Sequence, residues 1–120
     1  MGYYSDVALC LTAKGMENLA VALAQAQQNE PENFTAVKDF IGGIPDRKDQ
    51  DSGAAAFLWE GLKWYSEFED VAFVEKFIAG LEYADYYFIR VGEDDDDTEV
   101  KGGFWDNPLG MRLTRGIAFT

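Results

Sequence analysis

The sequence predicts an α+β protein with a ferredoxin-like, split βαβ fold, an antiparallel sheet with helices packed on one face. Three observations lead there. Apolar residues alternate with period two near the N-terminus and again from residue 86 onward. Between those stretches they recur at helical spacing. The order strand, helices, strand, helix, strands then lets right-handed crossovers return to one sheet. A length of 120 residues with 48% hydrophobic content suits a single domain over 1–120, able to bury roughly two-thirds of the surface its unfolded chain exposes.

Residues 3–12, "YYSDVALCLT", set Val7, Leu9 and Leu11 against Ala8 and Cys10, the pattern of a buried strand in which Cys10 packs rather than reacts. Thr12 can cap the helix that follows, "AKGMENLAVALAQAQQN", where Met16, Leu19 and Leu23 repeat at helical spacing in an alanine-rich background. Asn29, Glu30 and Pro31 interrupt it. Phe34, Val37 and Ile41 then form a second stripe closed by Gly42 and Gly43, giving a helix pair or one broken helix. Residues 44–53 read as a polar loop. "AAAFLWEGLKWY", 54–65, is aromatic enough to favour a strand, with Gly61 marking a bulge.

From about Glu67 to Leu81, Val71, Val74, Phe77, Ile78 and Leu81 trace one helical face. Glu67, Glu69 and Asp70 fall in its first turn, where the helix dipole favours negative charge. "YYFIRV", 86–91, is the clearest strand, a short one is expected around 99–105, and "MRLTRGIAF", 111–119, alternates as a last strand.

Charge is the strongest signal of function. The net charge is -12, and most of it sits in residues 67–106, where 13 acids face only Lys76, Arg90 and Lys101. Such a field repels nucleic acid and anionic membrane and speeds encounter with basic proteins. Cys10 is the single cysteine, so an intramolecular disulfide is impossible and a reducing compartment is expected. The start of the chain has no basic leader, and its apolar stretch Val7–Leu11 is too short for a signal or a membrane span. The expected location is the cytoplasm.

The acids concentrate in "GEDDDDTEVKGG", with Glu93, Asp94, Asp95, Asp96, Asp97 and Glu99 on the turn after the clearest strand. A calcium loop needs glycine at its sixth position and glutamate at its twelfth. Starting at Asp94 these fall on Glu99 and Trp105, and starting at Asp95 on Val100 and Asp106. Neither register fits, so no metal or other cofactor is expected. Mimicry of nucleic acid is a closer match, since an extended chain advances about 3.3 Å per residue and one DNA strand carries a charge every ~3.4 Å. Six acids would nonetheless fill only part of a groove built for roughly 6 to 10 phosphates. A solvated hairpin tip whose charges discourage edge-to-edge association is the leading reading of the run taken by itself.

Three stretches, "MGYYSD", "LKWYSEFEDV" and "YYFIRVGED", resemble a group of small, uncharacterised phage and prophage proteins. The matching positions are Gly2, Tyr3, Tyr4, Lys63, Trp64, Tyr65, Asp70, Gly92 and Glu93, covering about half of the chain in pieces. The resemblance implies a bacterial host cytoplasm and action on host or phage proteins. It brings no catalytic residues with it.

Histidine is absent, which removes the commonest general base and transition-metal ligand. Ser5, Ser52 and Ser66 lack a nucleophile-elbow context, and no phosphate-cradling glycine motif precedes a helix. Joined to what the resemblance implies, the reading is a non-enzymatic phage-type accessory protein that binds a basic protein partner through an acidic and aromatic surface; a nucleic-acid-binding partner, with this chain as nucleic-acid mimic or inhibitor of host defence, is one form of it. Glu93, Asp94, Asp95, Asp96, Asp97 and Glu99 supply charge in that reading, and Tyr65, Phe104 and Trp105 are aromatic anchors. An exposed aromatic subset would serve equally as a homodimer seam. The competing classes are a carboxylate- or metal-dependent enzyme using Glu67, Asp70 or Asp94, and a phage structural or assembly component.

Overall fold

The computed structural model describes residues 2–114. Five strands and three helices occur among them: β1 Ser5–Leu11, α1 Ala13–Asn29, α2 Pro31–Ile41, β2 Arg47–Lys48, β3 Ala55–Leu62, α3 Glu69–Ala79, β4 Tyr86–Gly92 and β5 Thr98–Gly102. The strands form one sheet in the order β2-β3-β1-β4-β5, and every neighbouring pair is antiparallel.

The period-two pattern of β1 decides both faces of the sheet. Val7, Leu9 and Leu11 point to one side, where they join Phe57 of β3 and Phe88 of β4 beneath Leu19 of α1, Val37 and Ile41 of α2, and Val71, Val74 and Ile78 of α3. Fully burying a side chain of this kind contributes roughly 1.5–3 kcal/mol. Cys10 points the other way and joins Ala56, Tyr87 and Ile89 in a second cluster covered by Phe104, Leu109, Met111 and Leu113. The helices thus cover one face and the segment after β5 covers the other.

Local chemistry sets the element boundaries. The Thr12 hydroxyl accepts from the Gly15 amide at 3.1 Å and caps α1. Pro31 opens α2 at a position where a missing amide costs nothing, so the two stripes are a helix pair. Gly61 sits at φ +61°, and the β1–β3 register shifts between Ser5 and Val7, which is the bulge expected there. Phe40 stacks on Trp59 between α2 and β3, Trp64 packs tilted against both, and the Trp59 indole donates to the Phe40 carbonyl at 3.0 Å. The Trp64 indole nitrogen is buried with no hydrogen-bond partner among the described residues.

The structure departs from the sequence expectation in four places. Arg47–Lys48 pair with Ala56 and Ala55 inside the presumed loop, a strand too short and too exposed to leave an apolar signal. β3 stops at Leu62, so Trp64 is buried beyond the strand. α3 begins at Glu69, leaving Glu67 in the preceding turn. Residues 111–114 are irregular: Asn107 takes both the amide and the carbonyl of Met111, the groups a strand would pair. The remainder of that expected strand lies outside the described residues.

Candidate functional site

The acidic run is the turn of the β4–β5 hairpin. The Gly92 amide donates to the Asp97 carbonyl at 2.8 Å, closing a loop in which Asp97 and Thr98 amides bond back to the Asp94 and Asp96 carbonyls. Register then places Arg90 of β4 directly opposite Glu99 of β5. Arg90 Nη2 lies 2.7 Å from Asp97 Oδ1, its Nε lies 3.0 Å from Glu99 Oε1, and Nη1 also donates to Ser5 Oγ at 3.1 Å. One guanidinium fork therefore holds two of the six acids. Lys101 takes the other oxygen of Glu99 at 2.9 Å, but its side chain is 45% exposed against 17% for Arg90, so Arg90 is the stronger anchor.

The N-terminal segment completes the arrangement. The Tyr3 hydroxyl donates to Asp97 Oδ2 at 2.7 Å and accepts from the Asp94 amide at 3.0 Å. The Tyr3 amide donates to the Tyr65 hydroxyl at 2.7 Å, and the Tyr4 amide to Glu93 Oε2 at 3.1 Å. Lys63 lies 5.9 Å above the Tyr4 ring. Gly92 makes room at the centre: a Cβ there would meet Asp97 Oδ2 and the Tyr3 hydroxyl and push these side-chain ends aside. The three stretches "MGYY", "KWY" and "VGED", far apart in sequence, meet at this end of the sheet.

These contacts move the local acid–base equilibria. Burial pushes the Glu99 carboxyl up, but Lys101 and Arg90 outweigh it and hold the group below its ordinary value. Asp97 first, and Glu99 second, raise Arg90 still further into the charged range. The Asp94 amide favours ionised Tyr3, yet the bond to Asp97 and the surrounding negative charge win, and the phenol is raised.

The predicted site residues consequently divide. Glu93, Asp94, Asp95 and Asp96 are exposed on the turn, whereas Asp97 and Glu99 are half-buried partners of Arg90. Six carboxylates against Arg90 and Lys101 leave the hairpin a formal −4, so the outward field is narrower than the composition implies. Tyr65 is half-buried and holds the Tyr3 amide. Phe104 packs in the second core cluster, and Trp105 is 63% exposed, edge-on to Tyr83. Both lie past the far end of β5, roughly 17 Å along the strand from the turn at about 3.3 Å per residue. Among the described residues the acidic turn and Trp105 are therefore separate, and Tyr4, exposed and bonded through its amide to Glu93, is an aromatic beside the turn.

Sequence reasoning missed Arg90 and Tyr3 as organisers of this end. The signal was present for Arg90, a charge inside an apolar strand that a tight hairpin pairs with Glu99. Among the described residues no group of three or more His, Cys, Asp or Glu is arranged to hold a metal ion, and no helix is long and apolar enough to cross a membrane. No family model matches the chain, and neither does any curated protein or solved structure.

Proposed function

We propose that the chain is a non-enzymatic accessory protein of phage or prophage type that binds a basic protein partner through the acidic turn Glu93–Asp96 and the neighbouring Tyr4. The observation that carries this reading is the locked base of the hairpin. Arg90 and Tyr3 fix Asp97, and the Tyr4 amide engages Glu93, so the exposed acids stand on a rigid support. A charged loop ordered before binding loses less conformational entropy on association than a free one. The partner class that fits is a protein whose basic face otherwise takes nucleic acid, which an inhibitor of host defence would block. The setting is the bacterial host cytoplasm.

The strand order also favours a ferredoxin-like reading extended by one strand. β1 lies between β3 and β4, the crossover from β1 to β2 is helical, and so is the one from β3 to β4.

The test is affinity purification of the tagged chain from bacterial lysate at low salt, beside a variant carrying Asp94→Asn, Asp95→Asn and Asp96→Asn. A basic protein held by the first and lost from the second is the expected result. Identical capture by both chains overturns the assignment.

A further inference from the structure

We propose that two copies of this chain pair antiparallel along the open edge of β5, with Val100 on the two-fold axis, joining their sheets into one. Among the described residues β5 is an edge strand of the sheet, and its register with β4 is unbroken from Tyr87–Gly102 to Val91–Thr98. The Gly92-to-Asp97 hydrogen bond closes the hairpin. Antiparallel pairs alternate between bonded and non-bonded, so this bond turns the backbone groups of Glu99 and Lys101 toward β4 and those of Val100 toward the open edge. Val100 stands on the face opposite Glu99 and Lys101 and is 46% exposed.

The five residues "TEVKG" are self-complementary in charge when paired antiparallel about Val100. Glu99 then stands opposite the second copy's Lys101, and Lys101 opposite its Glu99. Centring the axis on Glu99 or on Lys101 instead brings like charges together, so one register is selected. Edge charges usually discourage association; here their alternating sign directs it.

The same register keeps like charge apart. The two acidic turns lie at opposite ends of the seam, more than about 30 Å apart at ~3.3 Å per residue. That distance exceeds the roughly 8 Å screening length at physiological salt, so two chains of net charge -12 do not crowd like charge at the contact.

A seam of this size is small beside a standard interface of roughly 1,600 Å², so the dimer should form at tens to hundreds of micromolar, on the order expected for a weak pair. Sedimentation velocity of the full chain across about 5 to 500 μM should show a concentration-dependent dimer. Val100→Pro removes the outward amide without touching the bonds to β4, and should weaken the dimer at least about tenfold with unchanged circular dichroism. Lys101→Glu sets two glutamates against each other and should be monomeric, and mixing it with Glu99→Lys should restore a heterodimer. A monomer at every concentration, or a dimer indifferent to both Val100→Pro and Lys101→Glu, overturns the proposal. None of these outcomes depends on the basic-partner reading, which rests on Glu93–Asp96 and Tyr4.

Discussion

Arg90 and Asp97 form a two-pronged pair, Nη2 to Oδ1 at 2.7 Å and Nη1 to Oδ2 at 3.2 Å, at the base of the acidic turn. The carboxylate that continues the acidic run in sequence is, in space, the foundation on which the other acids stand. Removing the guanidinium takes from half-buried Asp97 and Glu99 their shared cation, leaving Tyr3 on the first and the more exposed Lys101 on the second. Arg90→Leu should therefore cost about 1–3 kcal/mol of stability, read from urea unfolding. Arg90→Lys should recover under half of it, because a point charge cannot make the fork. A loss below about 0.5 kcal/mol for Arg90→Leu, the range of an ordinary surface change, would remove this pair from the account.

The same cluster sets an acid limit. Glu99 is held below its ordinary value of 4.5, so it ionises more readily folded than unfolded. Its contribution is complete above 4.5 and is lost as pH falls from there through the folded value. Stability of the wild type should decline on acidification below 4.5, and Glu99→Gln should flatten that decline while leaving the slope above it unchanged. Equal slopes in both chains below 4.5 would show that Glu99 does not contribute.

On the opposite face of the sheet, Asn107 is a buried bracket. Its amide group donates to the carbonyls of Phe104 and Met111 and its oxygen accepts from the Met111 amide. Asn107→Ala should release the covering segment and cost about 1–3 kcal/mol. Cys10 reports the release, since burial pushes its thiol up to about 11 and keeps it inert at neutral pH. Native chain should resist thiol alkylation, and the variant should react measurably faster at equal denaturant. Equal alkylation rates would mean that Asn107 does not hold this cover in place.

The two indoles should respond differently to the same substitution. Trp59→Phe breaks a 3.0 Å bond to the Phe40 carbonyl, whereas Trp64→Phe deletes a buried donor that has no partner among the described residues. Trp59→Phe should be the more damaging by about 1 kcal/mol. The reverse order, measured by thermal unfolding, would contradict the hydrogen-bond assignment.

Much of this architecture is legible in the sequence because period and capping act locally. The alternation of Val7, Leu9 and Leu11 identifies β1, Thr12 identifies the start of α1, and Pro31 divides α1 from α2. The Gly61 bulge and the acidic hairpin turn also follow from short-range signals. What is not legible depends on partners distant in sequence. β2 exists only because Ala55 and Ala56 offer it an edge, and Met111 is kept out of a strand by a single asparagine. The division of the acids into exposed and neutralised sets needs Tyr3 and Ser5 to arrive beside Arg90. No window of local sequence contains that meeting.

The central position of β1 has a further consequence for how the chain is made. It is synthesised before both of its neighbours, so Leu11 must wait for Ala55, and Ser5 for Gly92, before either side of the strand can pair. Residues 86–92 have to leave the ribosome before the middle of the sheet can close, so a nascent chain stalled before residue 86 would expose an apolar strand along one entire flank.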